Sequence, residues 1–141
     1  MSDAELIPTI DVVAGLVFRA GRLLITQRRP GSHLAGLWEF PGGKLDPGED
    51  WIPALHRELR EELAIGVEVG PLIKELTHAY PEKTVRLRFY RCHWRQGEPQ
   101  ILDCAALAWV GSKDLSRFEF PAADRRLLER LRTDAALWRP E

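Results

Sequence analysis

One segment restricts the fold of this chain more than any other: residues 28–50 carry five glycines and three prolines. Such a density of glycine and proline is typical of turns and irregular loops. A loop of this length inside a compact domain is usually functional or disordered. Because Leu37, Trp38 and Phe40 lie within it, we predict an ordered loop that contains one short strand at residues 37–40.

Segments with the pattern of β-strands lie on both sides of this loop. There are five of them: residues 9–18, 22–27, 67–80, 84–94 and 104–110. Ala20-Gly21 predicts a turn between the first two strands, and Gly70-Pro71 interrupts the third. The fourth segment alternates apolar and basic residues, so we expect one solvated face. The fifth is continuously apolar and is predicted to be buried.

Two helices complete the pattern. The first is predicted over residues 51–64, with Asp50 as its N-cap. The second is predicted over residues 121–133, an amphipathic segment that begins with Pro121. A mixed β-sheet packed between α-helices is the natural way to bury these elements. We therefore predict an α+β fold with α/β/α layers, formed by a single domain over residues 1–141.

The composition excludes several classes of function. Lys and Arg number 20 against 21 Asp and Glu, a net charge of −1, which argues against stable nucleic-acid binding through overall charge. Two cysteines are too few for a disulfide framework and indicate buried, reduced thiols. Residues 1–8 lack a signal-peptide pattern, and the longest apolar stretches are much shorter than the ~20 residues that span a bilayer. We predict a soluble, cytoplasmic protein without membrane contacts, as a monomer or homodimer.

The first helix carries side chains that suggest a metal site. Its predicted apolar stripe consists of Ile52, Leu55, Leu59 and Leu63. Beside that stripe lie Glu58, Glu61 and Glu62, and converging carboxylates are ligands that a hard divalent cation such as Mg²⁺ prefers. An ordinary solvated helix can also be acidic, and Arg57 and Glu61 form a favourable i,i+4 pair. The helix alone leaves both interpretations open.

The spacing upstream of these glutamates favours the metal site. It resembles the Nudix box, which runs glycine, five residues, glutamate, seven residues, Arg-Glu, an aliphatic residue, any residue, Glu-Glu, any residue, glycine and an aliphatic residue. The matching positions here are Gly43, Glu49, Arg57, Glu58, Leu59, Glu61, Glu62 and Ile65. On this pattern the chain is identified as a member of the Nudix hydrolase family.

One position departs from the box. Ala64 stands where the family has a glycine, which usually ends the helix with a positive φ. Alanine in that conformation costs about 1 kcal/mol. Alternatively, the helix runs on to Gly66, which would then supply the left-handed residue after its end. Both alternatives leave the glutamate positions unchanged.

The resemblance implies roles for the box residues. In the family the glutamates hold Mg²⁺ against a diphosphate while water attacks one phosphorus, with Mn²⁺ as an alternative ion. Carried over by position, the implied metal ligands are the carbonyl oxygen of Gly42 and the side chains of Glu58, Glu61 and Glu62. Glu61 would bind the metal or orient the attacking water. Arg57 would hold a glutamate side chain in place, and Glu49 would brace the loop.

A catalytic base is often contributed from outside the box. In relatives a glutamate is common ahead of a tryptophan-bearing strand, and the matching tract LDCAALAWV has Asp103 there. Because aspartate is one methylene shorter than glutamate, direct proton abstraction needs a close approach of this loop. The alternative is an aspartate that only forms a turn before the strand.

Beyond the box, residues 13–131 resemble the MutT-type subgroup, whose members remove oxidised guanine nucleotides such as 8-oxo-dGTP. The segments QRRPGSHLAGLWEFPGGK and FPAADRRLL carry this resemblance, together with Tyr80-Pro81. The implied substrate contacts are Arg28, the backbone near Phe40, Lys44, Lys83 and Asp124. Asp124 stands where the subgroup has an asparagine that reads the base.

The chemistry of Asp124 predicts a base preference. An ionised carboxylate only accepts hydrogen bonds. Guanine offers two adjacent donors and an 8-oxo lesion adds a third, whereas cytosine and adenine each offer one donor beside one acceptor. An ionised Asp124 therefore predicts guanine over pyrimidines, and cytosine or adenine fits only a protonated one. The alternative is that Asp124 caps the last helix.

We therefore predict Mg²⁺-dependent hydrolysis of an 8-oxo-dGTP-like or dGTP-like triphosphate to the monophosphate and pyrophosphate, which sanitises the nucleotide pool in the service of DNA repair. Pyrimidine triphosphates, ADP-ribose and dinucleoside polyphosphates remain alternative substrates within the family. A Nudix module that only binds is an alternative of another class. Such modules usually lose box carboxylates, whereas Glu58, Glu61 and Glu62 are all present.

Overall fold

The computed structural model describes residues 7–140; the predictions for residues 1–6 and 141, including most of the N-terminal pattern and the ends of the predicted domain, lie outside the described residues. Within residues 7–140 there are seven β-strands and two α-helices: β1 (Thr9–Arg19), β2 (Arg22–Gln27), β3 (Trp38–Glu39), β4 (Gly42–Lys44), α1 (Trp51–Leu63), β5 (Gly66–Ala79), β6 (Thr84–Gln96), β7 (Ala106–Val110) and α2 (Arg125–Thr133). Short 3-10 turns cover Leu115–Arg117, Ala122–Asp124 and Ala135–Trp138.

These strands form one mixed sheet. Its order is β3-β2-β1-β6-β5, with β4 paired to β1 and β7 paired to β2. β1 and β6 run parallel from Thr9 opposite Thr84 to Phe18 opposite His93, and the other pairs are antiparallel. Because β6 occupies one edge of β1, β4 pairs along the other edge, and the glycine-rich loop therefore ends against the centre of the sheet.

Alternate residues of β1 enter two separate apolar clusters, so the sheet is covered on both faces. The first cluster contains the buried stripe of α1 and includes Val13, Val17, Leu55, Leu59 and Leu63. The second contains the buried residues of α2 and includes Leu16, Phe18, Phe89, Leu127 and Leu131. Burying one leucine side chain contributes about 1.5–3 kcal/mol, which holds both helices on the sheet. The predicted α+β fold with α/β/α layers is confirmed.

Three strand predictions differ from the structure. β5 continues through Gly70-Pro71 because a register shift between Val69 and Leu72, a β-bulge, accommodates a proline that has no ladder donor. The pattern does not predict β4, since its glycines give no apolar alternation. β7 begins only at Ala106 and is mostly half-buried rather than buried, because within the described residues it pairs with β2 alone.

The end of α1 resolves the alternatives for the box alanine. α1 ends at Leu63, and Ala64 adopts φ 58° and ψ 35°, the left-handed conformation. Its N–H donates to the Arg60 carbonyl oxygen at 3.0 Å. Gly66 already belongs to β5, so the extension of the helix to Gly66 is wrong, and alanine occupies the conformation that favours glycine.

The helix predictions need two further corrections. Ile52 is 42% exposed because it lies in the first turn, and Ala54 is buried in addition to the three leucines of the stripe. The predicted helix over residues 121–133 begins with a 3-10 turn, and α2 proper starts at Arg125. Both differences lie at helix ends, where the apolar spacing carries least information.

Composition predicts free thiols and no membrane-spanning segment. Both thiols are free, that of Cys92 buried and that of Cys104 half-buried. No helix in the part of the chain that the structure describes is long and apolar enough to cross a membrane.

Candidate active site

Arg57 joins the glycine-rich loop to the carboxylates of α1. Its guanidinium donates two hydrogen bonds to Glu49, at 2.7 and 2.8 Å, and one to the Lys44 carbonyl oxygen at 3.1 Å. It also donates to Glu58 at 3.0 Å and to Glu61 at 3.1 Å. These five hydrogen bonds use all five N–H donors of the arginine side chain. Arg57 therefore lies at the centre of the box residues and fixes two glutamates relative to the loop.

Both carboxylate oxygens of Glu49 accept hydrogen bonds from the protein. Both of its oxygens accept from Arg57, and Oε1 also accepts from the Asp46 N–H at 2.8 Å. The hydrogen bonds from Arg57 and then from Asp46 lower the pKa of Glu49 to about 2. Glu49 is therefore ionised at neutral pH, and its charge is already compensated.

The two box glycines allow a close approach of backbone to carboxylate. Gly42 and Gly43 pair with Ala14 and Val13 of β1. A Cβ at Gly42 would overlap the Val13 carbonyl oxygen, and one at Gly43 would overlap the Glu58 carboxylate. These positions are therefore glycines for reasons of space, and the loop backbone lies directly against Glu58.

Glu58 and Glu62 form the less compensated side of the cluster. Burial raises the pKa of Glu58, although Arg57 opposes the shift. Burial and the negative charges of Glu58, Glu39 and Asp103 raise the pKa of Glu62 to about 8, with a contribution from a hydrogen bond between the two carboxyl groups of Glu58 and Glu62. Adjacent carboxyl groups in such surroundings are stabilised by a bound proton or cation.

This donor set fits a hard divalent cation. Among residues 7–140, no three acidic, histidine or cysteine side chains are already arranged as a metal site. Nevertheless, Glu62 presents a carboxyl group surrounded by other carboxyl groups, Glu58 lies beside it with only Arg57 to compensate its charge, and Gly42 adds a carbonyl oxygen on β4. Oxygen donors of this kind suit Mg²⁺ rather than a thiophilic ion. Glu61, with a side chain 59% exposed, lies on the outer side of the cluster.

A cavity of about 440 Å³ opens beside the cluster and extends to the start of α2. Several predicted site residues line it: Arg28, Phe40, Gly42, Lys44, Glu62, Asp103 and Asp124. Arg57, Glu58 and Glu61 lie next to it on α1 without forming its lining. The structure therefore brings together residues that are distant in the sequence, from the loop, α1, the segment before β7 and the segment before α2.

Among the predicted substrate contacts, Lys83 does not line the cavity. Its ammonium lies 5.8 Å from the centre of the Tyr80 ring, and Tyr80 lines the cavity instead. A hydrogen bond of 2.7 Å from the Tyr80 N–H to the Lys83 carbonyl oxygen closes the turn between β5 and β6. The predicted direct contact of Lys83 with substrate is therefore not supported by this geometry.

Asp124 lines the cavity from the segment just before α2. It ends the 3-10 turn before α2 and is only 7% exposed. Burial, together with the charge of Glu39, raises the pKa of Asp124 to about 6. Asp124 occupies the N-cap position of α2, as the alternative interpretation has it, but its side chain makes no capping hydrogen bond.

Two ion pairs lie at the cavity wall. Arg29 contacts Asp103 at 3.2 Å, and both side chains are exposed. Arg28 contacts Glu39 at 2.8 Å in a more buried position. Asp103 is close enough to Glu62 to raise its pKa, so it faces the region where the predicted base would be needed. The sequence patterns do not predict Glu39 as a site residue, and its position beside Phe40 is the signal that could have indicated it.

Known proteins resemble this chain in sequence and in fold. A family model described as a NUDIX domain matches residues 13–130. The chain is 37% identical over 120 residues to the CTP pyrophosphohydrolase of Escherichia coli, covering 85% of this chain and 89% of the relative. It is also 37% identical over 123 residues to an 8-oxo-dGTP diphosphatase of Haemophilus influenzae, covering 86% and 90%. Among solved structures, a MutT protein of Methanosarcina mazei matches with a TM-score of 0.78 and 26% identity, covering 91% and 96%.

Proposed function

The chain belongs to the NUDIX domain family, and from this premise we propose that it hydrolyses 8-oxo-dGTP-like or dGTP-like triphosphates to the nucleoside monophosphate and pyrophosphate. The prediction of a MutT-type Nudix pyrophosphohydrolase that acts on nucleoside triphosphates is confirmed by the relatives. One observation carries the proposed substrate: a single cavity joins Glu62 and Lys44 to Asp124. Phosphates and base can therefore be bound at opposite ends of one site.

Nudix hydrolases generally use divalent metal ions, and we propose Mg²⁺ here, with Mn²⁺ as a substitute. Glu58, Glu62, Glu61 and the Gly42 carbonyl oxygen would hold it. When bound, the ion would supply neutralisation of phosphate charge and activation of water. The support is the donor set itself, two carboxyl groups with raised pKa beside a backbone carbonyl.

The remaining residues would position the reacting groups. Lys44 follows the glycine pair and lines the cavity, so its ammonium can meet a phosphate. Asp103 would accept the proton of the attacking water, and its contact with Arg29 would orient it. Arg57 would keep Glu58 and Glu61 in their observed positions. Phe40 would provide an apolar wall next to the base.

A second candidate function is supported by a specific observation. Because the pKa of Asp124 is raised to about 6, the side chain is protonated in mildly acidic solution and then offers a donor beside an acceptor. That pattern complements cytosine. The relative named CTP pyrophosphohydrolase supports the same candidate, hydrolysis of CTP or dCTP.

The test is pyrophosphate release from 8-oxo-dGTP, dGTP and dCTP in the presence of Mg²⁺, with wild type and Glu61→Gln. We expect guanine substrates to be preferred at neutral pH, and the variant to be slower. A preference for dCTP at neutral pH would contradict the guanine assignment, and full activity of the variant would remove Glu61 from the mechanism. Hydrolysis in ¹⁸O-labelled water identifies the phosphorus that is attacked.

We also propose a biological setting for this activity. Residues 1–141 would form one domain, a monomer or homodimer, that sanitises nucleotides in the cytoplasm without nucleic-acid or membrane partners. Light scattering of the purified protein measures the oligomeric state, and a mutation-rate assay in cells that lack the gene measures the sanitising role.

A further inference from the structure

We propose that a second pocket, between the 3-10 turn at Leu115–Arg117 and α2, binds a small amphiphilic acid, in which one aromatic or branched aliphatic group carries a carboxylate. Within residues 7–140, neither a box residue nor any carboxyl group lines this pocket. The inference concerns a ligand other than the substrate and does not depend on the proposed function.

The walls of the second pocket are apolar, and its volume is about 240 Å³. Leu115 is almost fully buried, whereas Phe118, Phe120 and Leu128 are half-buried, and these four side chains line the pocket. Cavities for drug-sized ligands measure roughly 300–1,000 Å³, so this pocket suits a smaller group, such as a single ring on a short chain. An apolar ligand would cover the partly exposed walls and remove them from water.

The aromatic walls of the pocket are held in place by ring contacts on their other sides. Phe118 packs edge-on against Trp38, with 4.9 Å between the ring centroids. Phe120 stacks on Phe40, with 5.1 Å between centroids and 20° between the planes. Because these rings are already ordered, binding fixes few further side chains, and the pocket is largely preformed for its ligand.

Two arginines of α2 determine which charge the pocket favours. Arg125 and Arg132 line it, and both are exposed. Seven residues separate them, so they lie on one side of the helix about 10 Å apart, with Leu128 between them. In the part of the chain that the structure describes, neither forms an ion pair, whereas Arg130 of the same helix contacts Asp134 at 3.6 Å. A ligand carboxylate would therefore meet two guanidinium groups without a competing protein carboxylate.

The lining distinguishes this ligand from a nucleoside triphosphate. The cavity beside the box is larger, about 440 Å³, and lysine, arginine and acidic side chains line it. Among the described residues, the second pocket has Ser116 as its one polar side chain besides the two arginines. One apolar group with one negative charge matches that lining. Pro121 lines both spaces, so the ligand would lie against the segment that leads to Asp124.

Three ligands that share one apolar group test the proposal. We would titrate ¹⁵N-labelled protein with 3-phenylpropanoate, 3-phenylpropanamide and 3-phenylpropylammonium, and follow the backbone amide shifts by NMR. For a ligand of this size we expect the carboxylate to bind with a Kd of roughly millimolar order. It should bind about 3–10-fold more tightly than the amide, and the ammonium should bind most weakly. Shift changes should centre on Ser116, Phe118 and Leu128 rather than on Gly43 and Lys44.

The role of the arginines is tested by combining Arg125→Gln with Arg132→Gln. Both side chains are exposed, so this double variant should fold like wild type and should bind the carboxylate and the amide equally. Arg126→Gln is the matched control, because Arg126 is an exposed arginine of the same helix that, within residues 7–140, lines neither cavity. It should keep the preference of wild type for the carboxylate.

Four results would overturn the proposal of an acid-binding pocket. They are that no probe binds, that wild type binds carboxylate and amide equally, that the shift changes centre on the cavity beside the box, and that Arg126→Gln lowers the preference as much as the double variant does. Because binding is measured directly, the test is independent of whether the protein hydrolyses a nucleotide.

Discussion

Two glutamates of the same box, Glu49 and Glu62, differ in the positive charge that surrounds them. Arg57 contacts both oxygens of Glu49 and helps to lower its pKa to about 2. Glu62 has three other carboxyl groups near it, and its pKa is raised to about 8. A carboxylate that the protein neutralises serves to fix the loop. One that remains uncompensated at a cavity is positioned for a cation from solution.

The largest effect is expected from Glu62→Gln, which tests whether the charge of Glu62 binds the metal ion. The amide keeps the size of the side chain but removes the charge that we propose for the metal, so kcat/KM for dGTP in Mg²⁺ should fall by about 10²–10³-fold. Steady-state pyrophosphate release measures it. Glu129→Gln changes an exposed glutamate of α2 away from the cavity and should behave like wild type. Near-normal activity of Glu62→Gln would contradict the assignment of the metal ligands.

The same variant should alter how stability depends on pH. A carboxyl group with a higher pKa in the folded than in the unfolded state binds more protons when folded, so stability falls as pH rises from about 4.5 to about 8. For Glu62 the loss is on the order of a few kcal/mol at most. Thermal unfolding in EDTA at pH 5, 7 and 9 should therefore show a decline for wild type that is weaker in Glu62→Gln. Identical profiles for wild type and variant would show that the pKa of Glu62 is not raised in the folded protein.

Arg57→Lys tests the role of the arginine that compensates the charge of Glu49. Lysine keeps the charge but cannot reproduce the paired bonds to Glu49 together with those to Glu58 and Glu61. Loss of a group that orients ligands typically lowers metal affinity or activity by about 10–100-fold. We expect that loss in kcat/KM, with an unchanged ratio of dGTP to dCTP hydrolysis because the base end is untouched.

The matched control for Arg57→Lys lies on the same helix. Arg60 is exposed and does not line the cavity, so Arg60→Lys should retain wild-type activity. If Arg57→Lys also retained it, the hydrogen bonds of Arg57 would stabilise the fold without preparing the site.

The elements that depend on local pattern could be predicted from the sequence. β2 has the predicted bounds, and α1 ends one residue before its predicted end, because apolar spacing and flanking turn residues act within a few positions. The box glutamates were found for the same reason, since their spacing is carried by a single loop and helix. Departures such as the continuous β5 arise from strand pairing, which no local pattern records.

The parts of the site that depend on distant contacts could be predicted only at positions that the family resemblance indicated. Glu39 becomes a cavity residue only because β3 pairs with β2 and brings it to Arg28. Asp124 becomes buried only because the segment before α2 packs against that same wall. Resemblance indicated Asp124, but its raised pKa follows from burial and then from the nearby charge of Glu39, neither of which a linear sequence displays.

The proposed recognition of the base by Asp124 can be tested by changing the pH. Because the pKa of Asp124 is about 6, lowering the pH from 7.5 to 5.5 should convert the side chain from mostly ionised to mostly protonated. The ratio of kcat/KM for dCTP to that for dGTP should then rise by about tenfold or more, because the protonated form pairs with cytosine. Taking the ratio cancels effects of pH on the metal site, which both substrates share.

Asp124→Asn provides the control for this titration. The amide presents a donor and an acceptor at every pH, so its ratio should stay flat between pH 5.5 and 7.5. A ratio that changes equally in wild type and in Asp124→Asn would assign the pH dependence to another group.

The smallest effect is expected from Ala64→Gly, which separates the stability of α1 from the charges on it. Ala64 has φ 58°, a conformation in which glycine is favoured over alanine by about 1 kcal/mol. The melting temperature should rise by a few degrees while kcat/KM stays the same, because the glutamates keep their positions. Ala20→Gly relieves the same conformation at φ 51° in the turn between β1 and β2 and should give a similar gain. If Ala64→Gly changed activity and Ala20→Gly did not, the end of α1 would itself help to position Glu62, and charge alone would no longer explain the contrast with Glu49.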